Sequence, residues 1–188
     1  MCTALKWHDY FGRTLDDSTE YDLNLIITPR HYKFGFDKTK DLGYAIMGLG
    51  VEYNDYPLYF EGVNEYGLAI AALEFKDYAI YHQYDNNKIN VPSYELIPFI
   101  LRNNKTINEV KLSIKNISIW DKSISTLYPT APLHYLVSDE FESIVIEQSN
   151  DGLKIYDNKY NVLANNPKFS YHLENIVIME VLLKSLWF

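Results

Sequence analysis

Apolar and polar positions along the first half of the chain fall into short runs that change character every five to eight residues. Thr3–Trp7 and Tyr10–Thr14 are rich in β-formers and are separated by His8-Asp9, which predicts a hairpin. Asn24–Thr28 reads as a strand that ends at Pro29, since proline cannot donate to a sheet ladder. Tyr44–Gly50, Leu58–Glu61 and Leu68–Phe75 are further predicted strands, punctuated by Gly43, Pro57 and Gly67. Within the last of them Ala69–Leu73 is apolar almost without alternation, the pattern of a strand covered on both faces.

The period then changes. Leu96, Ile97, Ile100 and Leu101 recur at helical spacing within Ser93–Arg102, where Pro98 implies a kink or a late start. Thr106-Ile107-Asn108-Glu109 has the form of a capping box, and Val110, Ile114 and Ile117 behind it share a face, so a helix is predicted over 107–116. Strands return at Leu133–Ser138, Ser143–Glu147, Leu153–Tyr156 and Tyr160–Ala164, with Asn150-Asp151-Gly152 as a turn. No internal repeat or interdomain linker interrupts this order. Many antiparallel strands around a central helical pair predict one α+β domain.

Length and charge narrow the function. At 188 residues the chain suits one well-buried domain. Its net charge of −8 argues against a nucleic-acid partner or an anionic membrane surface, since both need a basic footprint. No leader pattern follows Met1, and the apolar-rich stretch Ile176–Phe188 is broken by Glu180 and Lys184 and falls short of the roughly 20 residues a span requires. A cytoplasmic protein is expected. His8, His31, His82, His134 and His172 lack metal-ligand spacing, so no metal or cofactor is expected. Gly48 and Gly50 do not make a phosphate loop, and Asp121-Lys122 and Asp139-Glu140 read as solvated turns.

The chain has one cysteine, at position 2, which rules out a disulfide framework. A lone cysteine is most often a small buried hydrophobe. Position 2 opens a second reading, because methionine aminopeptidases remove Met1 before a small side chain. Cys2 would then carry a thiol and a free α-amine in one residue. An α-amine of pKa about 7.7–8.0 is partly neutral near pH 7 and is able to act as general base for the thiol.

Several colinear segments sharpen this second reading: Met1-Cys2-Thr3-Ala4, Phe11-Gly12-Arg13-Thr14-Leu15-Asp16, Ile27-Thr28-Pro29-Arg30, Asp55-Tyr56-Pro57-Leu58-Tyr59, Asn64-Glu65-Tyr66-Gly67-Leu68, Pro132-Leu133-His134-Tyr135-Leu136 and Val162-Leu163-Ala164-Asn165-Asn166-Pro167. Together they resemble the choloylglycine hydrolase family of bile salt hydrolases and penicillin V acylases, over residues 1–175. The resemblance implies the N-terminal nucleophile sandwich, two antiparallel sheets between helical layers. It also implies cofactor-free hydrolysis of a non-peptide amide, such as a glycine- or taurine-conjugated bile salt, through a thioester on Cys2. Penicillin V or another N-acyl amide is the alternative substrate, and a homotetramer is the assembly the family suggests.

By the same resemblance, Asp16 would hold the Cys2 amine and Arg13 would favour the thiolate. Taken alone, those two residues read equally as a local surface ion pair. Asn165 would supply an oxyanion donor, a role typically worth about 3–4 kcal/mol, or simply form an Asn-Asn-Pro turn. Tyr56, Tyr59 and Phe60 would line an apolar acyl pocket.

Two features depart from the family. Where it places a second oxyanion donor, Asn in typical bile salt hydrolases and Tyr in penicillin V acylases, this chain has Glu74. An ionised carboxylate about 4 Å from an oxyanion at an effective dielectric near 20 repels it by about 4 kcal/mol. Residues 176–188 do not resemble the family's continuation, and relatives run further, with more strands and another site arginine. A truncated product with an incomplete sandwich and little activity is therefore one expectation, and a short paralogue that has re-closed its core is the other.

Overall fold

Ala71 and Leu73 face one way from their strand and Ile70 and Ala72 the other, and both pairs are buried. That strand is the centre of the computed structural model, which describes residues 1–36, 43–126 and 128–185. The chain order is β1 (Thr3–Trp7), β2 (Tyr10–Thr14), β3 (Asn24–Thr28), β4 (Ile46–Tyr53), β5 (Tyr56–Asn64), β6 (Ala69–Glu74), β7 (Ile89–Pro92), α1 (Leu96–Asn103), α2 (Ile107–Ser113), β8 (Ile117–Trp120), β9 (Leu133–Ser138), β10 (Ser143–Ser149), β11 (Gly152–Asp157), β12 (Val162–Ala164) and α3 (Phe169–Ser185).

Seven strands form an antiparallel sheet in the order β11-β10-β9-β6-β5-β4-β3, and a second antiparallel sheet has the order β12-β1-β2. One face of the large sheet packs Ile26, Ile46, Ile70, Tyr135 and Ile144 against Leu96, Ile100 and Leu101 of α1 and Ile107 and Val110 of α2. The opposite face packs Ala71, Leu73, Leu136 and Val145 against Cys2, Ala4 and Leu163 of the small sheet and Phe169 of α3. Helix, sheet, sheet is the resulting layer order. The α+β class and the stacked antiparallel sheets agree with expectation.

The departures have local causes. Pro57 lies inside β5 rather than before it, next to the hairpin turn Asn54-Asp55. Pro98 produces the late start: a 3-10 turn, Ser93–Glu95, precedes α1, and the proline sits in the helix's first turn, where a missing N–H matters least. The Thr106 hydroxyl accepts from Glu109 N at 3.3 Å, but the Glu109 carboxylate reaches back to Lys105 N at 2.6 Å, one residue beyond an ideal capping box. Strands β7 and β8, too short to show a period, pair in parallel. Finally, α3 runs without interruption through residues 175 and 176, where the sequence suggests a change from domain to tail. The last three residues of that tail lie outside the described residues.

Candidate active site

The register of β1 assembles the site. Thr3 pairs with Ala164 on one side and Thr14 on the other, and Ala4 pairs with Leu163 and Arg13. Continuing the first ladder by one step brings Asn165 opposite Cys2. Directly opposed residues share a face, so Arg13 is the diagonal neighbour of Cys2. Cys2 is only 5% exposed, at the inner face of the small sheet. Its backbone nitrogen donates to Asn165 Oδ1 at 2.9 Å, and Arg13 Nη2 lies 3.8 Å from its Sγ.

Arg13 is itself buried, its side chain 7% exposed, with Nη1 4.0 Å from Glu61 Oε2 and the guanidinium carbon 6.0 Å from the Phe60 ring centroid. Its Nε has no hydrogen-bond partner among the described residues. Burial pushes the Glu61 carboxyl above the ordinary carboxylate range, and the Arg13 charge partly offsets this. The guanidinium therefore stands between a carboxylate and the thiol, where it stabilises negative charge on sulfur.

A β-bulge makes this arrangement possible. Leu49 pairs with Glu61 while Gly50 pairs with Tyr59, which leaves Phe60 as the extra residue of β5. Phe60 and Glu61 thus both turn to the Arg13 side. Close approach of the two strands explains the glycines of β4: a Cβ on Gly48 would lie 2.1 Å from the Glu61 carbonyl oxygen, and one on Gly50 2.2 Å from that of Leu58.

Of the three aromatics expected at the acyl pocket, only Phe60 is brought to the site, where Tyr21 meets its ring edge-on at 4.9 Å. Tyr59 faces the helical side and donates to Thr28 Oγ1 at 3.2 Å. Tyr56 also packs on that side, donating to Glu95 and accepting from Gly35 N; burial and the Glu95 carboxylate raise its hydroxyl pKa. The expectation for Tyr56 and Tyr59 is corrected accordingly. Phe60's neighbours above and below the bulge belong to opposite faces, a switch that simple alternation does not encode.

Asp16 holds the N-terminal amine of the unprocessed chain. With Met1 present, Asp16 Oδ2 is 2.8 Å from the Met1 α-ammonium, and the Asp16 backbone carbonyl accepts from the same group at 2.7 Å. Its carboxylate is 77% exposed and holds the amine one residue before Cys2. The hydrogen bond it donates to the Asp16 carboxylate raises that amine's pKa. Nor does Asp16 pair with Arg13, whose carboxylate partner is Glu61.

Asn165 turns its Nδ2 toward Glu74 Oε2 at 3.5 Å, so the expected oxyanion donor and Glu74 are brought together. The turn that carries Asn165 is tied down beneath. Asn166 Nδ2 donates to the Lys76 carbonyl at 2.7 Å, His172 Nε2 lies 3.1 Å from the Asn165 carbonyl oxygen, and Glu147 accepts from Phe169 N at 2.8 Å. Glu147 in turn lies 3.2 Å from His134 Nδ1, and both side chains are buried. Desolvation lowers the His134 pKa despite that partner. Glu61, Glu147 and His172 escape sequence reasoning, because their contacts with Arg13, Phe169 and Asn165 are made between separate elements of the fold. Among the described residues no cluster of His, Cys, Asp and Glu is placed to hold a metal ion.

Comparison with known proteins decides the family. The sequence model of the linear amide C–N hydrolases, choloylglycine hydrolase family, matches residues 2–182. The chain belongs to this family. It is 44% identical over 181 residues to the bile salt hydrolase/transferase of Lactiplantibacillus plantarum, covering 94% of this chain and 56% of that protein. It is 37% identical to the conjugated bile acid hydrolase of Lactobacillus gasseri, covering 94% and 58% respectively. Among solved structures, the mutant C2A conjugated bile acid hydrolase from Clostridium perfringens superposes with a TM-score of 0.87 at 34% identity, over 95% of this chain and 57% of that one. The penicillin V acylase of Agrobacterium tumefaciens superposes at 0.72 with 22% identity, a likeness of fold alone. These neighbours bear out the N-terminal nucleophile sandwich. The chain spans a little over half the length of the relatives it matches.

Proposed function

We propose that the chain is a cysteine N-terminal nucleophile amidohydrolase acting on glycine- or taurine-conjugated bile salts, after removal of Met1. The observation that carries this reading is the arrangement around Cys2: its nitrogen on Asn165 Oδ1 at 2.9 Å, and Arg13 at 3.8 Å from its sulfur. Loss of Met1 turns that nitrogen into a free α-amine and leaves the Asp16 carboxylate, now bound to the Met1 ammonium, available to accept from it. The amine takes the thiol proton, and the sulfur attacks the amide carbon. The C–N bond then breaks, with the amine returning the proton to the leaving nitrogen, which gives a thioester on Cys2. Water adds to the thioester and releases the acid. Asn165 Nδ2 would donate to the tetrahedral oxyanion.

The bile salt preference is supported by the chain's similarity to the bile salt hydrolase/transferase of Lactiplantibacillus plantarum and the conjugated bile acid hydrolase of Lactobacillus gasseri. A reduced thiol nucleophile suits the cytoplasm, and a homotetramer is the assembly the family suggests. No described helix is long and apolar enough to cross a membrane. The test is release of glycine or taurine from conjugated bile acids by processed protein. Release of phenoxyacetate from penicillin V in its place would assign the other substrate class.

A further inference from the structure

We propose that His172 is a positioning residue for the reaction at Cys2, holding the Asn165 backbone from a helix whose start is fixed by the buried His134–Glu147 pair. This rests on the reading of Cys2 as nucleophile with Asn165 as its partner. Continuing the β9–β10 ladder by one step sets His134 opposite Glu147, on the face that carries Leu136 and Val145 in the apolar layer between the sheets. His134 and Glu147 are 0% and 2% exposed. Two apolar residues would fill these places without the cost of desolvating an imidazole and a carboxylate. What the polar pair adds is a fixed acceptor. Glu147 Oε1 takes His134 Nδ1 at 3.2 Å and the N–H of Phe169, the first residue of α3, at 2.8 Å. That N–H has no partner within its own helix, so the carboxylate caps α3 from a neighbouring strand and meets the positive end of its dipole. The His134 ring is clamped in turn, stacked on Phe75 at 4.5 Å with the planes 7° apart.

One turn into α3, His172 reaches back to the site. Its Nε2 lies 3.1 Å from the Asn165 carbonyl oxygen, which only accepts, so Nε2 carries the proton. The side chain of the same asparagine takes Cys2 N on Oδ1 at 2.9 Å. Between Asn165 and the helix, Asn166 Nδ2 on the Lys76 carbonyl at 2.7 Å ties down the turn. Asn165 is thus held by its backbone from α3 while its side chain meets Cys2. An amide aimed at a developing oxyanion acts in the transition state, so losing its aim lowers kcat and leaves KM.

Two pairs of variants of the Met1-processed protein test this. His172→Leu removes the donor, and His172→Gln keeps an N–H at similar reach. Glu147→Leu removes the cap of α3, and Glu147→Gln keeps an oxygen there. Should Glu147→Leu fail to fold, the half-buried His172 decides through its own pair. With cholylglycine as substrate, kcat should fall about 10- to 100-fold in the leucine variants, with KM unchanged within about twofold, and recover in the amide variants. The order parameter of the Asn165 backbone N–H, from nitrogen-15 relaxation, reads the turn without turnover. About 0.85 is expected in wild type and in the amide variants, and below about 0.6 in the leucine variants. An unchanged order parameter in His172→Leu, a change in KM in place of kcat, or a loss that His172→Gln shares would overturn the proposal. A loosened Asn165 in His172→Leu, in a chain that releases no glycine even as wild type, would overturn the amidohydrolase reading and leave the positioning of Asn165 by His172 standing.

Discussion

Cys2, Arg13 and Asn165 meet because three strand ends of one small sheet align, and each side chain then has a separate task. Replacing Cys2 by Ala should abolish glycine release while the far-ultraviolet circular dichroism stays native, since the change removes a single side-chain heavy atom and leaves the β1 ladders intact. Cys2→Ser should lose several orders of magnitude, because an alcohol ionises far less readily than a thiol. Comparable rates for wild type and Cys2→Ala would place the activity elsewhere. Beneath the Asn165 turn, His134 gives a pH-dependent prediction. Burial lowers its pKa in the fold, so below about 6.5 the unfolded chain takes up a proton that the folded chain refuses. Its contribution is therefore complete above that pH and is lost as the pH falls. The unfolding free energy should fall more steeply between pH 7.5 and 5.5 in wild type than in His134→Asn, by up to about 1.4 kcal/mol per pH unit. Parallel slopes would show that His134 gains a proton freely in the fold.

At the scale of elements, the β4–β5 pair shows how a local irregularity serves the site. A Cβ on Gly50 would meet the Leu58 carbonyl oxygen at 2.2 Å, so Gly50→Ala must separate the strands next to the bulge. The expected loss is about 1–3 kcal/mol, read as a lower melting temperature, with Phe60 and Glu61 displaced from Arg13. An unchanged melting temperature would contradict the close approach. Legibility in the sequence divides along the same line. Strands with clear punctuation, such as Asn24–Thr28 before Pro29 and Leu133–Ser138, are readable to the residue. The family motifs also single out Cys2, Arg13 and Asn165, which the structure brings together. Tyr56 and Tyr59, expected at the acyl pocket from the family resemblance, pack on the helical side, and the bulge at Phe60 that separates Tyr59 from Glu61 leaves no signal in hydrophobic period. The Glu61–Arg13 and His134–Glu147 contacts are tertiary, and no spacing within one element predicts them. The exposed apolar residues of α3 follow no single stripe, so that helix is hard to read from its pattern.

Across the whole molecule, one apolar surface stands out. Leu25 and Ile27 of β3 are 64% and 66% exposed, and Leu25 borders, with Met47, Leu49, Val63 and Phe11, an open cleft of about 600 Å³ between the two sheets. Val177, Ile178, Met179, Val181, Leu182 and Leu183 of α3 add a second exposed apolar run. Surfaces of this kind promote association. Sedimentation velocity should show concentration-dependent self-association that the double variant Leu25→Lys, Ile27→Lys reduces; a monomer at all concentrations would contradict this. The central claim is that the amide is cleaved through a thioester on an N-terminal cysteine. Its most direct test is the mass of the N-terminal peptide from protein acid-quenched during incubation with a glycine-conjugated bile acid. The account predicts a peptide that begins at Cys2, lacks Met1, and carries the bile acyl group on its sulfur. Release of glycine by protein that retains Met1, or whose Cys2 never carries the acyl group, would contradict it.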